Sequence, residues 1–444
     1  MSTATQDLVV PVAATLAVQT LVAVAVYCAP VMAPVAGPAL GVPAAYVGYY
    51  IAVVYLGSMA GSVAGGGWVA RFGAIRVSQL GLAFCLLGLT LGASGFVPLV
   101  LFGGLLVGLG YGPTTPASSH ILVRAAPPRL IAIVFSLKQT GVPGGAAIAG
   151  AAVPLLVLGI GWQGAAVAIG VACLALAFAI EPARARFDRE LDPHAPISLA
   201  SMFAPLGLVR NPRLAEMAVA SFIYGGVQIT LVTYLVTFLT EAFRMSLVLA
   251  GLVMAVSQLA SVAGRIAWGV VADRLLTRRT MLGWLGVGMG VSAITTLAAS
   301  PDWPLWLLFT FAAVFGATAV GWNGVYLAEV ARLAPRDKIS QATGACLFFT
   351  FLGVVCSPPL FNLALWLAGG YAGAYAVFGV PALLVGARLL AQIARERFRA
   401  IHAVHLVTRH GQPQLRERRL VGVVLHQQDC GLRRCLGERR QVGD

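Results

Sequence analysis

The feature of this chain that most constrains its fold is a series of long stretches without any charged residue. No Asp, Glu, Lys or Arg occurs from Cys28 to Ala70, from Val77 to Val123 or from Gln139 to Ile180. Charged residues make up only 10% of the chain and hydrophobic residues 59%, whereas about a quarter of a typical soluble protein is charged. The pattern therefore predicts an all-α polytopic membrane protein and excludes a soluble or an intrinsically disordered chain.

Twelve runs of the sequence are long and apolar enough to cross a bilayer, which takes about 20 residues for each helix. They are separated by charge clusters or by turns rich in Gly, Pro and aromatic residues. The first run continues beyond the length of a signal-peptide core and no Lys or Arg precedes it, so we interpret it as a membrane span. The predicted spans are 8–31, 45–68, 77–96, 98–123, 131–157, 163–181, 214–240, 247–272, 280–299, 304–328, 341–366 and 372–394.

Basic residues mark one side of this topology. The segments that follow spans 2, 4, 6, 8 and 10 are basic, whereas the odd-numbered exits carry almost nothing except Arg244. By the positive-inside rule, the even-numbered exits and both termini are cytoplasmic. The net charge of +14 is thus an orientation signal, and we expect no nucleic-acid partner. The marker residues are Arg71, Arg76, Arg124, Arg129, Arg184, Arg186, Arg189, Arg210, Arg213, Arg274, Arg278, Arg279, Arg332, Arg336 and Lys338.

The longest polar segment before the C-terminal tail, residues 182–212, predicts a cytoplasmic linker. It separates an N-terminal six-helix bundle, residues 1–181, from a C-terminal six-helix bundle, residues 213–399. Residues 400–444 lack helical periodicity and are predicted to form a disordered cytoplasmic tail.

The two halves also repeat each other. Four matches occur in the same order at nearly constant offsets of 203 to 209 residues. Both copies start on the cytoplasmic side, so they predict a duplicated six-helix unit in parallel orientation. The matches are Gly66 to Arg71 with Gly269 to Arg274, Thr140-Gly141 with Thr343-Gly344, Pro128 with Pro335, and Gln19 with Gln228.

Twelve spans in two parallel halves, a central loop and the motif Gly269-x-x-x-Asp273-Arg274-x-x-x-Arg278 resemble the major facilitator superfamily. The resemblance covers residues 8–399. It implies two pseudo-symmetric six-helix bundles around a central cavity, and secondary transport by alternating access in a rocker-switch movement.

The stretch from Lys138 to Gly145 looks like helix 5 of bacterial solute carriers in this superfamily, and only partly like its Gly-Pro-rich antiporter motif. The chain departs from the family pattern in two places. Ala70 replaces the usual Asp of the first loop, and span 4 lacks the arginine that proton-coupled members often carry there.

The resemblance also implies a gate in the loops of the repeated motif. An acid at the C-terminal end of span 8 is unfavourable unless it is compensated, and in the superfamily the start of span 11 and nearby arginines compensate it. We expect a latch there, the alternative being a basic loop that only sets topology. We also expect Gly269 and the small residues before it to let span 8 approach a neighbour closely. The predicted gating residues are Gly66, Arg71, Gly269, Asp273, Arg274 and Arg278.

Lys138 lies about 10 Å into span 5 at 1.5 Å per residue, and no acid is near it in sequence. Charges inside a membrane are expensive and usually functional, so we predict that Lys138 attracts an anionic solute. The alternatives are a lysine that reaches the cytoplasmic interface or one that pairs with an acid on another helix. Arg265, near the end of span 8, is a second candidate cation with the same alternatives.

Uncharged polar residues complete the predicted substrate site. Buried amides need partners, so hydrogen bonds between helices are the alternative for each of them. By resemblance, spans 1, 4, 7 and 10 line the cavity. The predicted substrate-binding residues are Lys138, Gln139, Gln19, Gln228, Gln258, Trp322 and Asn323.

These features predict a secondary transporter of a small organic anion such as a carboxylate, in a bacterial inner membrane and as a monomer. A multidrug-type exporter and a non-transporting receptor or scaffold are the alternatives. No catalytic constellation is present, so we expect no enzyme, and we expect no cofactor or metal, since His426, Cys430 and Cys435 lack a fourth ligand. No Asp or Glu lies deep in a span, which leaves the coupling ion open.

Overall fold

A computed structural model describes residues 3–127, 130–188, 191–192, 204–335 and 338–410. The described parts are built from α-helices with short 3₁₀ connections. Those of the first half are α1 (Thr3–Ala39), α2 (Val47–Phe72), α3 (Ala74–Gly92), α4 (Val97–Tyr111), α5 (Thr114–Ala125), α6 (Ile131–Gln139), α7 (Gly141–Ala179) and α8 (Glu181–Phe187). Those of the second half are α9 (Pro212–Ala242), α10 (Leu247–Arg274), α11 (Arg278–Thr295), α12 (Leu305–Ala319), α13 (Asn323–Leu333), α14 (Ile339–Leu367) and α15 (Tyr371–His410).

Eleven helical segments in the described parts are long and apolar enough to cross a membrane. One of them, Ile133–Ala179, has 47 residues, which is about 70 Å of helix against about 30 Å of bilayer hydrocarbon. It is broken at Gly161, whose φ of 75° is one that glycine adopts without strain. The part before Gly161 packs against α1 and α10, and the part after it packs against α3. The segment therefore makes two crossings, and the predicted twelve spans in two six-helix bundles are confirmed.

The helices that form spans 4 and 10 are interrupted at matching positions. α4 ends at Tyr111 and α5 begins at Thr114, while α12 ends at Ala319 and α13 begins at Asn323. Pro113, between α4 and α5, has no N–H to continue the helical hydrogen bonds. Such breaks expose backbone polar groups inside a bundle, because the residues at a helix end lack their helical partners.

Two predicted boundaries fall in regions that are helical. α15 continues to His410, past the predicted end of the second bundle at residue 399. Within the predicted linker, α8 and a 3₁₀ helix at Ala204–Arg210 are present. Residues 411–444, which include His426, Cys430 and Cys435, lie outside the described residues.

Most of the marker arginines lie at one end of the two bundles. We call this end, which carries Arg71, Arg124, Arg274 and Arg332, the basic face, and the other end the opposite face. Arg129, Arg189 and Arg336 lie outside the described residues.

The bundles approach each other most closely toward the opposite face. A Cβ placed on Gly150 of α7 would lie 2.5 Å from the carbonyl oxygen of Gly251 at the start of α10. A Cβ on Gly48 of α2 would lie 3.2 Å from the Asn362 amide of α14 and would overlap the Tyr234 hydroxyl of α9. The helices closest to the basic face pack mainly within their own bundle, α5 and α6 in the first and α13 in the second. The closest contacts between the bundles are therefore made toward the opposite face.

Candidate functional site

The second bundle holds a hydrogen-bonded amide cluster at the break in span 10. The side-chain oxygen of Gln228, on α9, accepts hydrogen bonds from Trp322 Nε1 and Asn323 Nδ2, both at 3.0 Å. Trp322 is fully buried and packs edge-on against Tyr224. The break at the start of α13 thus brings three of the predicted site residues together.

The first bundle has a matching but weaker contact. Gln19 on α1 is buried, and its side-chain oxygen lies 3.5 Å from the Thr114 hydroxyl at the break in span 4. Gln19 and Gln228 are 209 residues apart, and so are Thr114 and Asn323. The internal repeat therefore places the same kind of contact between the first span and the broken fourth span of each bundle.

Lys138, at the end of α6, is only 2% exposed. Its ammonium nitrogen lies 3.5 Å from the Thr115 hydroxyl and 3.5 Å from the side-chain oxygen of Gln139. Among the described residues it has no carboxylate within salt-bridge distance. Its charge is compensated by uncharged oxygens alone, an arrangement that is costly inside a membrane protein.

Arg265 of α10 reaches into the space between the bundles. Its Nη1 donates to the backbone carbonyl of Gln139 in the first bundle at 3.3 Å, and its Nε donates to the carbonyl of Val320 in the second bundle at 3.4 Å. The described part of the chain offers it no ion-pair partner. Gln139 therefore lies between two cations, with Lys138 beside its side-chain oxygen and Arg265 on its backbone oxygen.

Two tyrosines of the first bundle, Tyr27 and Tyr111, are near enough to this guanidinium to interact with it electrostatically. Tyr27 and Tyr55 share a hydrogen bond of 2.9 Å between their hydroxyls, and the Tyr55 and Tyr111 rings pack edge-on. A phenolic hydroxyl can both donate and accept a hydrogen bond.

Gln258 is separate from these clusters. It is 1% exposed, and its Nε2 has no hydrogen-bond partner among the described residues. It lies two helical turns from Arg265 on the same face of α10. Gln258 is therefore an unsatisfied donor on the helix face that carries the guanidinium.

The predicted gating residues lie in exposed parts of the basic face. Asp273 has a 65% exposed side chain and pairs with Arg278 at 3.2 Å, its one polar partner in the described structure. Arg274 is exposed, and Arg71 is exposed with its guanidinium over the Phe72 ring.

The expected close approach of span 8 is made by Gly264 and not by Gly269. A Cβ on Gly269 would meet no atom within 4 Å, and the same holds for Gly66. Gly269 therefore does not provide a close helix approach in this conformation, because α10 turns that side away from its neighbours. The close approaches of α10 are made by Gly251 and Gly264.

The described structure contains a buried carboxylate at the basic end of span 10. The Glu329 side chain is 1% exposed and is held by Arg332 through bonds of 2.6 and 2.8 Å. Arg332 already compensates the charge of Glu329, so this carboxylate does not compete with a solute for Lys138 or Arg265.

Arg265 is not among the predicted substrate-binding residues, whereas Lys138 is the first of them. The signal for Arg265 was present, since it is the one charged residue of predicted span 8. Lys138 and Arg265 both contact Gln139, and Arg265 shares the Val320 carbonyl with Asn323 of the amide cluster.

Comparison with known proteins agrees with this architecture. The family model of the Major Facilitator Superfamily matches residues 15–358 and 217–418, so the chain belongs to the major facilitator superfamily. A curated relative, the MFS-type transporter opdF of Penicillium oxalicum, is 27% identical over 277 residues. That match covers 58% of this chain and 60% of the relative's length.

Solved structures share the fold at low sequence identity. The nucleoside transporter NupG superposes with a TM-score of 0.70 at 14% identity, covering 87% of this chain and 99% of that one. A D-xylose–proton symporter gives 0.64 at 16% identity, covering 86% and 96%. A bacterial homologue of the lysosomal transporter Spinster, in an inward-facing and occupied conformation, gives 0.65 at 15% identity with the same coverage.

Proposed function

We propose that this protein is a secondary active transporter that carries a small organic anion, such as a carboxylate, by alternating access. The observation that carries the proposal is the pair of cations beside Gln139. Neither Lys138 nor Arg265 has an ion-pair partner among the described residues, and Arg265 lies between the bundles. A buried cation without an anion is costly, and a bound carboxylate would compensate it.

The basic face is the cytoplasmic side in this proposal, and the membrane is a bacterial inner membrane. The arginine distribution supports that orientation. The closest contacts between the bundles lie toward the opposite face, as expected of an inward-facing state. The bundles correspond to residues 1–181 and 213–399, joined by the linker 182–212, and they rock about the central site in a monomer.

Anion selectivity follows from the charge of the site. A cationic drug would meet Arg265 and Lys138, neither of which has a described carboxylate within salt-bridge distance, so like charges would oppose its binding. We therefore favour an organic-anion carrier over an exporter of cationic drugs, and we propose no catalytic activity.

The latch on the basic face is part of the same proposal. Asp273, with Arg274 and Arg278, would hold this side shut in the outward-facing state. In the present conformation Asp273 pairs only with Arg278, in an exposed position, which is expected when the latch is released. Ala70 removes the corresponding acid from the first bundle.

A binding screen on purified protein tests the anion class. Thermal unfolding is measured with lactate, oxalate, succinate and benzoate, for wild type, Arg265→Ala and Lys138→Met. We expect at least one acid to stabilise the wild type, and Arg265→Ala to weaken its apparent affinity about tenfold to a hundredfold, the value of a hydrogen-bonded charge pair. Matched neutral amides of the same acids serve as controls.

The outcomes separate the alternatives. If no acid stabilises the wild type, or if Arg265→Ala responds to the acids as the wild type does, the anion proposal fails. Stabilisation by a lipophilic cation in place of the acids would favour the exporter of drugs.

A further inference from the structure

The carbonyl of Gln139 is available to Arg265 because of the residue four positions later. In a continuous α-helix the N–H of residue 143 would donate to the carbonyl of residue 139. Residue 143 is a proline, which has no N–H. The helix is interrupted here, since α6 ends at Gln139 and α7 begins at Gly141. Pro143 thus leaves the Gln139 carbonyl without its helical donor.

The second acceptor of Arg265 also lies at a helix break. Val320 follows the end of α12, and its carbonyl accepts from Arg265 Nε at 3.4 Å and from Asn323 Nδ2 at 3.3 Å. In this conformation Arg265 is therefore held by two backbone carbonyls that helix breaks leave available. Neutral carbonyls at 3.3 and 3.4 Å are weaker partners than a carboxylate, which forms shorter, charge-assisted bonds.

The two carbonyls belong to different bundles. Val320 moves with α10 and α12 of the second bundle, whereas Gln139 belongs to the first. The bond from Arg265 to Gln139 is consequently a tie between the bundles, at a depth where α6 makes few contacts with the second bundle.

We infer that a solute carboxylate replaces the Gln139 carbonyl on Arg265, so that binding of the solute releases the tie between the bundles. The inference rests on the proposed function, because it takes the solute to be an anion bound by Arg265. Pro143 is then a positioning residue. It does not touch the solute, and it acts by keeping the Gln139 carbonyl available for the guanidinium.

Two consequences follow. The solute competes with the tie, so removing the tie should tighten anion binding. The tie also stabilises the present conformation, so removing it without any solute should lower the population of this conformation.

Pro143→Ala tests both consequences, because it gives residue 143 an N–H that can bond to the Gln139 carbonyl. We expect the acids that stabilise the wild type to bind about threefold to tenfold more tightly, the range of a single hydrogen bond. Pro143→Gly, which also supplies an N–H, is measured beside it, in case alanine at this position disturbs folding. Pro381→Ala, which removes an exposed proline from α15 of the other bundle, is the matched control and should bind like the wild type.

A second measurement needs no solute. Nitroxide labels at Val123 and Leu275, which are exposed near the basic ends of α5 and α10, report the distance between the bundles in a cysteine-free background. Pro143→Ala should change the distance distribution relative to wild type and Pro381→Ala, and a bound acid should change it in the same way in the wild type.

The results distinguish the inference from the proposed function. If acids bind through Arg265 but neither Pro143 variant tightens binding or shifts the distances, the tie is overturned and the carrier proposal stands. If no acid binds, the carrier proposal fails, and so does the exchange of acceptors on Arg265. A gain in affinity equal to that of Pro381→Ala would also overturn the inference, because it would reflect proline removal in general.

Discussion

The two bundles share one scaffold but differ in the chemistry they place on it. In each bundle a glutamine of the first span contacts the break in the fourth span, at an offset of 209 residues. In the second bundle, Gln228 binds two donors at 3.0 Å, whereas Gln19 of the first makes one contact at 3.5 Å. The two bundles thus share the position of the glutamine, but its hydrogen bonds are fewer and longer in the first bundle.

The cations are not repeated at all. The first bundle supplies Lys138 from its fifth span, and the second supplies Arg265 from its second span. The position that corresponds to Arg265 at an offset of 203 residues is Ser62. The repeat therefore determines where helices break and where they meet. The cations that could bind a solute differ between the two halves.

The ends of the bundles at the basic face differ in a similar way. Arg76 and Arg279 occupy matching positions at the start of the third span. Arg76 lies 3.8 Å from Glu181, and Arg279 bonds Glu216 at 2.7 Å as well as Gln392. A hydrogen bond of 2.6 Å from Gln79, assisted by Arg184 and Arg76, holds the pKa of the Glu181 carboxyl below its usual value. Each bundle thus has ionic contacts between its own helices at this end, but the partners differ.

The largest effect is expected from the glycine pair that joins the bundles near the opposite face. Gly150→Ala places a Cβ 2.5 Å from the Gly251 carbonyl, so the bundles must separate there. We expect transport to fall about tenfold or more, and the overpacking to cost about 1–3 kcal/mol of stability. Gly144→Ala is the matched control in the same helix, because its Cβ would meet no atom within 4 Å. Equal transport by both variants would show that the close contact does not matter.

The amide comparison gives the next largest effect. Gln228→Leu leaves Trp322 Nε1 and Asn323 Nδ2 without their shared acceptor, and we expect it to cost about 1–3 kcal/mol, the penalty for unsatisfied buried donors. Gln19→Leu should cost less than about 1 kcal/mol, because its contact is long. Denaturation of both variants measures the difference. A Gln19→Leu that is the more destabilising of the two would reverse the comparison.

The smallest effect on stability is expected at the latch. Asp273→Asn removes an exposed ion pair, which is worth less than about 1 kcal/mol, so the unfolding temperature should barely change. The rate of transport should change, because the acid acts when the basic face closes. Asp302→Asn, an exposed acid in the loop after α11, is the control. A rate for Asp273→Asn equal to that of the control would leave this loop with a topological role only.

Most of the fold could be predicted from the sequence, because a bilayer imposes a length and a polarity on every span. The prediction even separated spans 5 and 6 on either side of Gly161, where the structure breaks one long helical segment. The match of Gln19 with Gln228 also appears in the sequence, as an offset of 209 residues. These features depend on position along the chain, which the sequence contains.

The candidate site could be predicted only in part, because a sequence gives the depth of a side chain and not the helix it meets. Arg265 and Gln139 are 126 residues apart, and their contact depends on how the two bundles pack. Lys138 drew attention as a lone cation, yet it is almost completely buried against Thr115 in this conformation. The carbonyl that Pro143 leaves without a helical donor has a partner only because the other bundle places Arg265 beside it.

Uptake into proteoliposomes shows whether Arg265 takes part in carrying the anion. Wild type, Arg265→Lys and Arg265→Ala are reconstituted at equal density, and entry of the radiolabelled acid that binds best is followed over time. We predict that Arg265→Ala lowers initial uptake at least about tenfold, as expected for the loss of one charge-assisted contact, and that Arg265→Lys retains part of it because the charge is kept. Uptake by Arg265→Ala at the wild-type rate would contradict the account, because it would leave the unmatched guanidinium without a part in carrying the anion.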